Sequence, residues 1–126
     1  MKIYNLRSSI IIKPQPQVKA QTQTLPLQEF KKILELTKNL ANKNNSTLYF
    51  VYLPSHARYK TKYNNSSYLS VKNILNELNI PFIDIHKEVF KKNKNPLKLF
   101  PFGLYGHYTA DGYKKVAETI YKFTKD

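Results

Sequence analysis

Between residues 26 and 44 the apolar side chains fall at Phe30, Ile33, Leu34, Leu40 and Ala41, with Thr37 in the same row. This i, i+3, i+4, i+7 spacing predicts a helix with one apolar face. Lys31, Lys32, Glu35 and Lys38 fall on its other face, and Asn42 to Ser46 has the turn composition that ends it. Leu48-Tyr49-Phe50-Val51-Tyr52-Leu53 is an unbroken apolar run of strand length, closed by Pro54. A run without alternation suits a strand covered on both faces, as in a parallel sheet. Ser55 to Ser67 is polar, carries Tyr59 and Tyr63, and reads as a long loop of the kind that bears function. Residues 68–79 predict a second helix, with Val71, Ile74, Leu75 and Leu78 on one side. Ile80 to Ile85 predicts a second strand, with Pro81 at its start, where a missing N–H is tolerated. A short helix over about His86 to Lys92 follows, then an irregular stretch from Asn93 to Gly106. The last helix begins near Thr109. Its stripe is Tyr113, Val116, Ala117, Ile120 and Tyr121, with Thr109 as cap and Asp111 at the positive end of the helix dipole.

Helix, strand, helix, strand, loop, helix is the order of an α/β domain with parallel strands and right-handed crossovers. Two strong strands are few, because sheets usually have roughly four to six. Residues 1–25 differ from the rest. Lys13-Pro14-Gln15-Pro16-Gln17 and Gln21-Thr22-Gln23-Thr24 are polar and Pro-interrupted, and predict an extended or mobile lead-in. Within it Ile10 to Ile12 is a candidate edge strand. The domain proper is therefore expected over residues 26–126.

Composition narrows the class. The chain has 126 residues, 41% of them hydrophobic and 13% aromatic, which suffices for one packed core. It has no cysteine, which excludes disulfides and thiolate metal sites. The formal net charge is +13, an excess that draws phosphates and anionic lipids. Nearly all of it is lysine spread over several helices, with only Arg7 and Arg58 besides. Specific nucleic-acid readout leans on Arg forks and stacked aromatics on one face, so no specific nucleic acid is expected. No apolar run reaches the about 18 residues of a membrane span. Ile10 to Ile12 is too short for a signal-peptide core, and no small-residue cleavage site follows it.

Candidate chemistry rests on three histidines: His56, His86 and His107. Their spacing matches no metal motif, so neither a metal nor a cofactor is expected. His107 stands out by context, in Pro101-Phe102-Gly103-Leu104-Tyr105-Gly106-His107-Tyr108-Thr109. Two glycines free the backbone before the imidazole, and a helix N-terminus follows two residues later. A loop beyond the carboxyl end of a parallel strand is where α/β enzymes place reactive groups. A neutral imidazole there can take a proton from a serine hydroxyl and return it to a leaving group. The plainer reading is a loop histidine bonded to backbone. His56, with Arg58 holding an anionic group, can line a substrate entrance, although an exposed loop residue is the simpler expectation. His86 opens the short helix and carries no assigned role. Lys91-Lys92-Asn93-Lys94 reads as a solvated face.

Gly106-His107-Tyr108-Thr109-Ala110-Asp111-Gly112-Tyr113-Lys114-Lys115-Val116-Ala117-Glu118 resembles the last sequence block of SGNH/GDSL-type hydrolases. In that family a His precedes a short polar turn, then a Gly, a bulky residue and an amphipathic final helix. Leu48–Pro54 is similar to the fourth strand of such a domain and Ile80–Ile85 to the fifth. The resemblance covers roughly residues 26–124. It implies the carboxyl-terminal half of a flavodoxin-like three-layer sandwich, with helices on both faces of a parallel sheet. It implies His107 as catalytic base, acting on an ester or an acylated small molecule or carbohydrate.

The sequence also departs from the family. No Gly-Asp-Ser block for the nucleophile is present, nor are the Gly and Asn blocks that bind the oxyanion. Ser8, Ser9 and Ser55 lack that setting. The Asp common three residues before the His is Leu104 here. Asp84 and Asp111 are spatial candidates for an orienting acid. Their simpler roles are strand-end hydrogen bonding and helix capping. The chain alone is therefore expected to be inactive and to need a partner or a missing N-terminal half. The competing expectation is a non-catalytic α/β binding or structural domain that pairs with another chain through its open sheet edge. A basic nucleic-acid binder is the third.

Overall fold

A computed structural model of the chain describes residues 26–60 and 62–125. The polar lead-in over residues 1–25 and the candidate strand Ile10 to Ile12 lie outside the described residues. The elements in order are α1 (Leu27–Lys43), β1 (Phe50–Tyr52), α2 (Ala57–Lys60), α3 (Ser66–Glu77), β2 (Phe82–Asp84) and α4 (Ala110–Thr124). Between β2 and α4 lie one wide helical turn, His86–Phe90, and two 3-10 turns, Pro96–Leu99 and Pro101–Gly103. The wide turn is closed by Lys91 N donating to His86 O at 2.8 Å, five residues back. The protein is mixed α/β and mostly helical.

β1 and β2 run parallel, with Phe50 opposite Phe82, Val51 opposite Ile83 and Tyr52 opposite Asp84. Successive side chains of a strand point to opposite faces, and the two cores divide accordingly. Phe50 and Phe82 face Leu34, Ile74, Leu75 and Ile80, so α1 and α3 cover that side. Val51 and Ile83 face Val89, Phe90, Leu99, Phe100 and Val116, so the turns and α4 cover the other. Helical elements therefore pack against each side of this strand pair. The cover over β1 is incomplete, since all three of its residues stay half-buried.

Local signals explain the helix ends. Asn45 and Asn79 adopt left-handed backbone at φ 52° and 49°. Beside them, Ser46 N donates to Ala41 O and Ile80 N to Leu75 O, each at 2.9 Å, which closes the last turns of α1 and α3. Thr109 caps α4 by accepting from Gly112 N at 3.1 Å. Asp111 sits in the first turn, bonded to Lys115 at 2.9 Å.

Two stripes face differently from the sequence expectation. In α1, Ile33 and Leu40 are exposed at 61% and 62%, and Leu34 is the buried residue of the helix. Lys31 and Lys38, placed by spacing on the outer face, reach toward α3, bonding Glu77 Oε2 and Leu78 O at 2.6 Å each. In α4, Val116 is buried and Ile120 packs on the core, whereas Ala117 and Tyr121 are exposed. The two strands among the described residues cover only a narrow strip of each helix, and part of each apolar stripe is exposed. The stretch 55–67 also differs from a plain loop. It contains α2, and α3 begins two residues earlier than expected.

Gly112 shows how closely α4 docks. A Cβ there would lie 2.9 Å from Leu99 O and 3.0 Å from Tyr108 Cβ. Neither neighbour is a flexible tip, so Gly112→Ala must push the helix off the core. The expected loss is about 2 kcal/mol, the middle of the overpacking range. A thermal melt should fall by roughly 10 °C, given the slope for a domain of this size.

Candidate functional site

The carboxyl ends of β1 and β2 open onto one rim. Leu53 to His56 leave β1 there, Ile85 and His86 leave β2, and the loop into α4 meets the exit of β1. Two bonds place that loop. Tyr108 Oη donates to Pro54 O at 2.7 Å, and Thr109 N donates to Leu99 O at 2.8 Å. Gly103 and Gly106 take φ +65° and +153°, values that side chains disfavour, so the glycine requirement read from the sequence is real at both. Phe102 also adopts left-handed backbone at φ 55°, with its ring 97% exposed.

His107 is exposed at this rim. With Leu53, Pro54, Gly106, Tyr108 and Tyr113 it lines a shallow cavity of about 200 Å³. The imidazole thus lies beside the residues that leave the carboxyl end of β1. Among the described residues it has no hydrogen-bond partner, and no carboxylate lies within salt-bridge reach of it. Leu104, in the position where the resemblance calls for an acid, is exposed. The two candidate acids are engaged elsewhere. Asp84 is buried and accepts from Tyr68 Oη and, at 3.2 Å, from Lys87 N. Asp111 faces Lys115. A larger hollow, about 370 Å³, lies between the wide turn and α4, lined by paired Lys and Glu side chains around Val89. None of the three histidines lines it.

His56 corrects the sequence expectation of an exposed loop residue. It is 4% exposed, and its Nε2 lies 2.8 Å from Gly103 O. A carbonyl only accepts, so Nε2 carries the proton in this bond. The ring also meets Phe100 edge-on at 5.3 Å. His56 therefore ties the exit of β1 to the loop that carries His107, and it does not line an entrance. The contact spans 47 residues of sequence, so no local pattern could announce it.

His86 opens the wide turn and is half-buried, its Nδ1 hydrogen-bonded to Tyr59 Oη at 2.9 Å. Burial, and then the nearby Arg58 charge, hold its pKa below the ordinary 6.5. The unfolded chain therefore binds this proton first as pH falls, and folding loses stability below about pH 6.5. The melting temperature should drop between pH 7 and pH 5. His86→Gln should show a smaller drop, which paired melts at the two pH values will check.

Arg58 occupies the α3 side of the rim. Its Cζ lies 4.8 Å from the ring centre of Tyr63, 4.7 Å from that of Tyr68 and 5.7 Å from that of Tyr52. Its Nη1 donates to Tyr52 Oη at 3.2 Å. Sequence reading singled out Arg58 but missed its tyrosines, which come from β1, the 55–67 stretch and α3.

No family model, curated protein or solved structure matches the chain. Among the described residues no His, Asp and Glu side chains gather into a metal site, and no helix is long and apolar enough to cross a membrane.

Proposed function

We propose that this chain supplies the carboxyl-terminal, base-bearing half of an SGNH/GDSL-type ester hydrolase or acyltransferase. The observation that carries the reading is His107, exposed on a positive-φ glycine loop beside Leu53 and Pro54 at the end of β1. The parallel β1–α3–β2 unit with α4 behind it agrees with a flavodoxin-like sandwich of which two strands are present. The serine must come from outside residues 1–126, because this sequence holds no Gly-Asp-Ser block. His107 then takes the serine proton as the hydroxyl oxygen attacks the ester carbonyl, and returns it to the departing alcohol. A water, deprotonated by the same ring, attacks the acyl-serine next; the bond from the acyl carbon to the serine oxygen breaks, the ring returns the proton to that oxygen, and the acid leaves. Among the described residues no carboxylate pairs with the ring, so the role proposed for this half is that of the base.

The test begins with the genomic sequence encoded upstream of Met1. An in-frame Gly-Asp-Ser block is expected. A stop codon there, together with no ester turnover by the chain mixed with its co-purifying proteins, would reject the reading.

A second reading is a non-catalytic domain that binds another chain. Ile33, Leu36 and Leu40 form an exposed apolar ridge on α1, and the sheet has two strands among the described residues, which favours it. Sedimentation decides between association and a well-behaved monomer, and the monomer would count against an obligate partner.

A further inference from the structure

We propose that Arg58 and its surrounding tyrosines form an oxyanion-binding site, for a carboxylate or phosphate group of a ligand. The guanidinium has five N–H donors in a plane. Rings that hold a guanidinium by its faces leave its edge free for bidentate bonding to two oxygens. Tyr63 and Tyr68 bring their rings within 4.8 Å and 4.7 Å of the Arg58 Cζ, and its one side-chain hydrogen bond among the described residues is to Tyr52 Oη. It makes no salt bridge there. Among the described residues no buried side-chain nitrogen or oxygen lacks a partner, so the unbonded guanidinium nitrogens are not sealed from solvent.

The cage is itself fixed. Tyr68 donates to the buried Asp84 carboxylate, whose other oxygen accepts from Lys87 N. Tyr52 and Tyr68 pack against each other at 5.0 Å and both pack on Phe82. Burial pushes the Tyr52 and Tyr68 hydroxyls up to about 12, so both stay neutral and do not compete with an anion. Asp84 is buried behind Tyr68, accepting its hydroxyl, and makes no salt bridge to Arg58. Lys60 and Lys62 flank the site in sequence and add to its positive field.

The inference stands apart from the hydrolase reading, because binding is measured without turnover. Arg7 and Arg58 are the only arginines, so the side-chain Nε–H region of a ¹⁵N NMR spectrum holds two signals. Inorganic phosphate, acetate and, at matched ionic strength, chloride are each titrated into the full chain at neutral pH. The Arg58 signal should move saturably with phosphate or acetate, while Arg7 follows the chloride control. The arm that saturates at lower concentration identifies the preferred oxyanion. Arg58→Lys keeps the charge but loses the fork, and should weaken phosphate binding, read by ³¹P line broadening, at least tenfold with the circular dichroism unchanged. Equal movement of both arginine signals, or undiminished binding by a folded Arg58→Lys protein, would overturn the proposal.

Discussion

Phe90→Ala will leave much of the domain unfolded in mild urea. Phe90 is fully buried and sits where the elements of one face meet. Its ring stacks on Tyr59 at 5.1 Å and 10°, and lies 5.4 Å from Phe100 and 5.1 Å from Tyr108. Removing it deletes one partner from three ring pairs and opens a cavity under both the rim loop and α4. Such truncations cost about 3–5 kcal/mol. A domain this small has little more than that in reserve, since net stabilities start near 5 kcal/mol. With a urea slope of about 1.5 kcal/mol per molar, the midpoint should fall by roughly 2 M or more. Phe90→Leu keeps most of the volume and should lose less than half as much. Urea titrations followed by circular dichroism will separate the two. If the alanine protein matched the parent, Phe90 would not be a core residue.

His107→Ala should act in the opposite way, with little effect on stability and a large effect on rate. The ring is exposed and bonded to nothing among the described residues, so its removal should change stability by less than about 0.5 kcal/mol. On the proposed hydrolase reading, the same change in an assembled enzyme would remove the group that moves the serine proton. Loss of one member of a nucleophile–base pair costs on the order of 10³-fold or more in kcat. The measurement is kcat on a short-chain aryl ester, using the full reading frame or the chain with its serine-bearing partner. The chain by itself should give no turnover above its His107→Ala control. A loss of stability with activity retained would mean that the ring serves structure.

The helices and strands were legible because their periods are local. The unbroken run at Leu48–Leu53 and the capped start at Thr109 each declare an element within a few residues. The facing of the helices was less legible. Spacing defines an apolar stripe, but the neighbour that covers it decides which part is buried. Here a two-stranded sheet covers Leu34 and Val116 and leaves Ile33, Leu40 and Tyr121 outside. The site divides the same way. His107 could be singled out from two glycines and a helix start nearby. The burial of His56 depends on Gly103, and the cage of Arg58 on Tyr52, Tyr63 and Tyr68 from three separate segments. Such partners meet only through the fold.

The placement of the 107 imidazole carries the functional reading, and nuclear Overhauser contacts from its ring protons measure that placement directly. The expected pattern is contact with the Leu53 and Pro54 side chains and with the Tyr113 ring, and none with Pro81 at the amino end of β2. Contacts instead to the buried Phe90 and Val116, or to the opposite rim, would contradict a base positioned at the carboxyl ends of the strands.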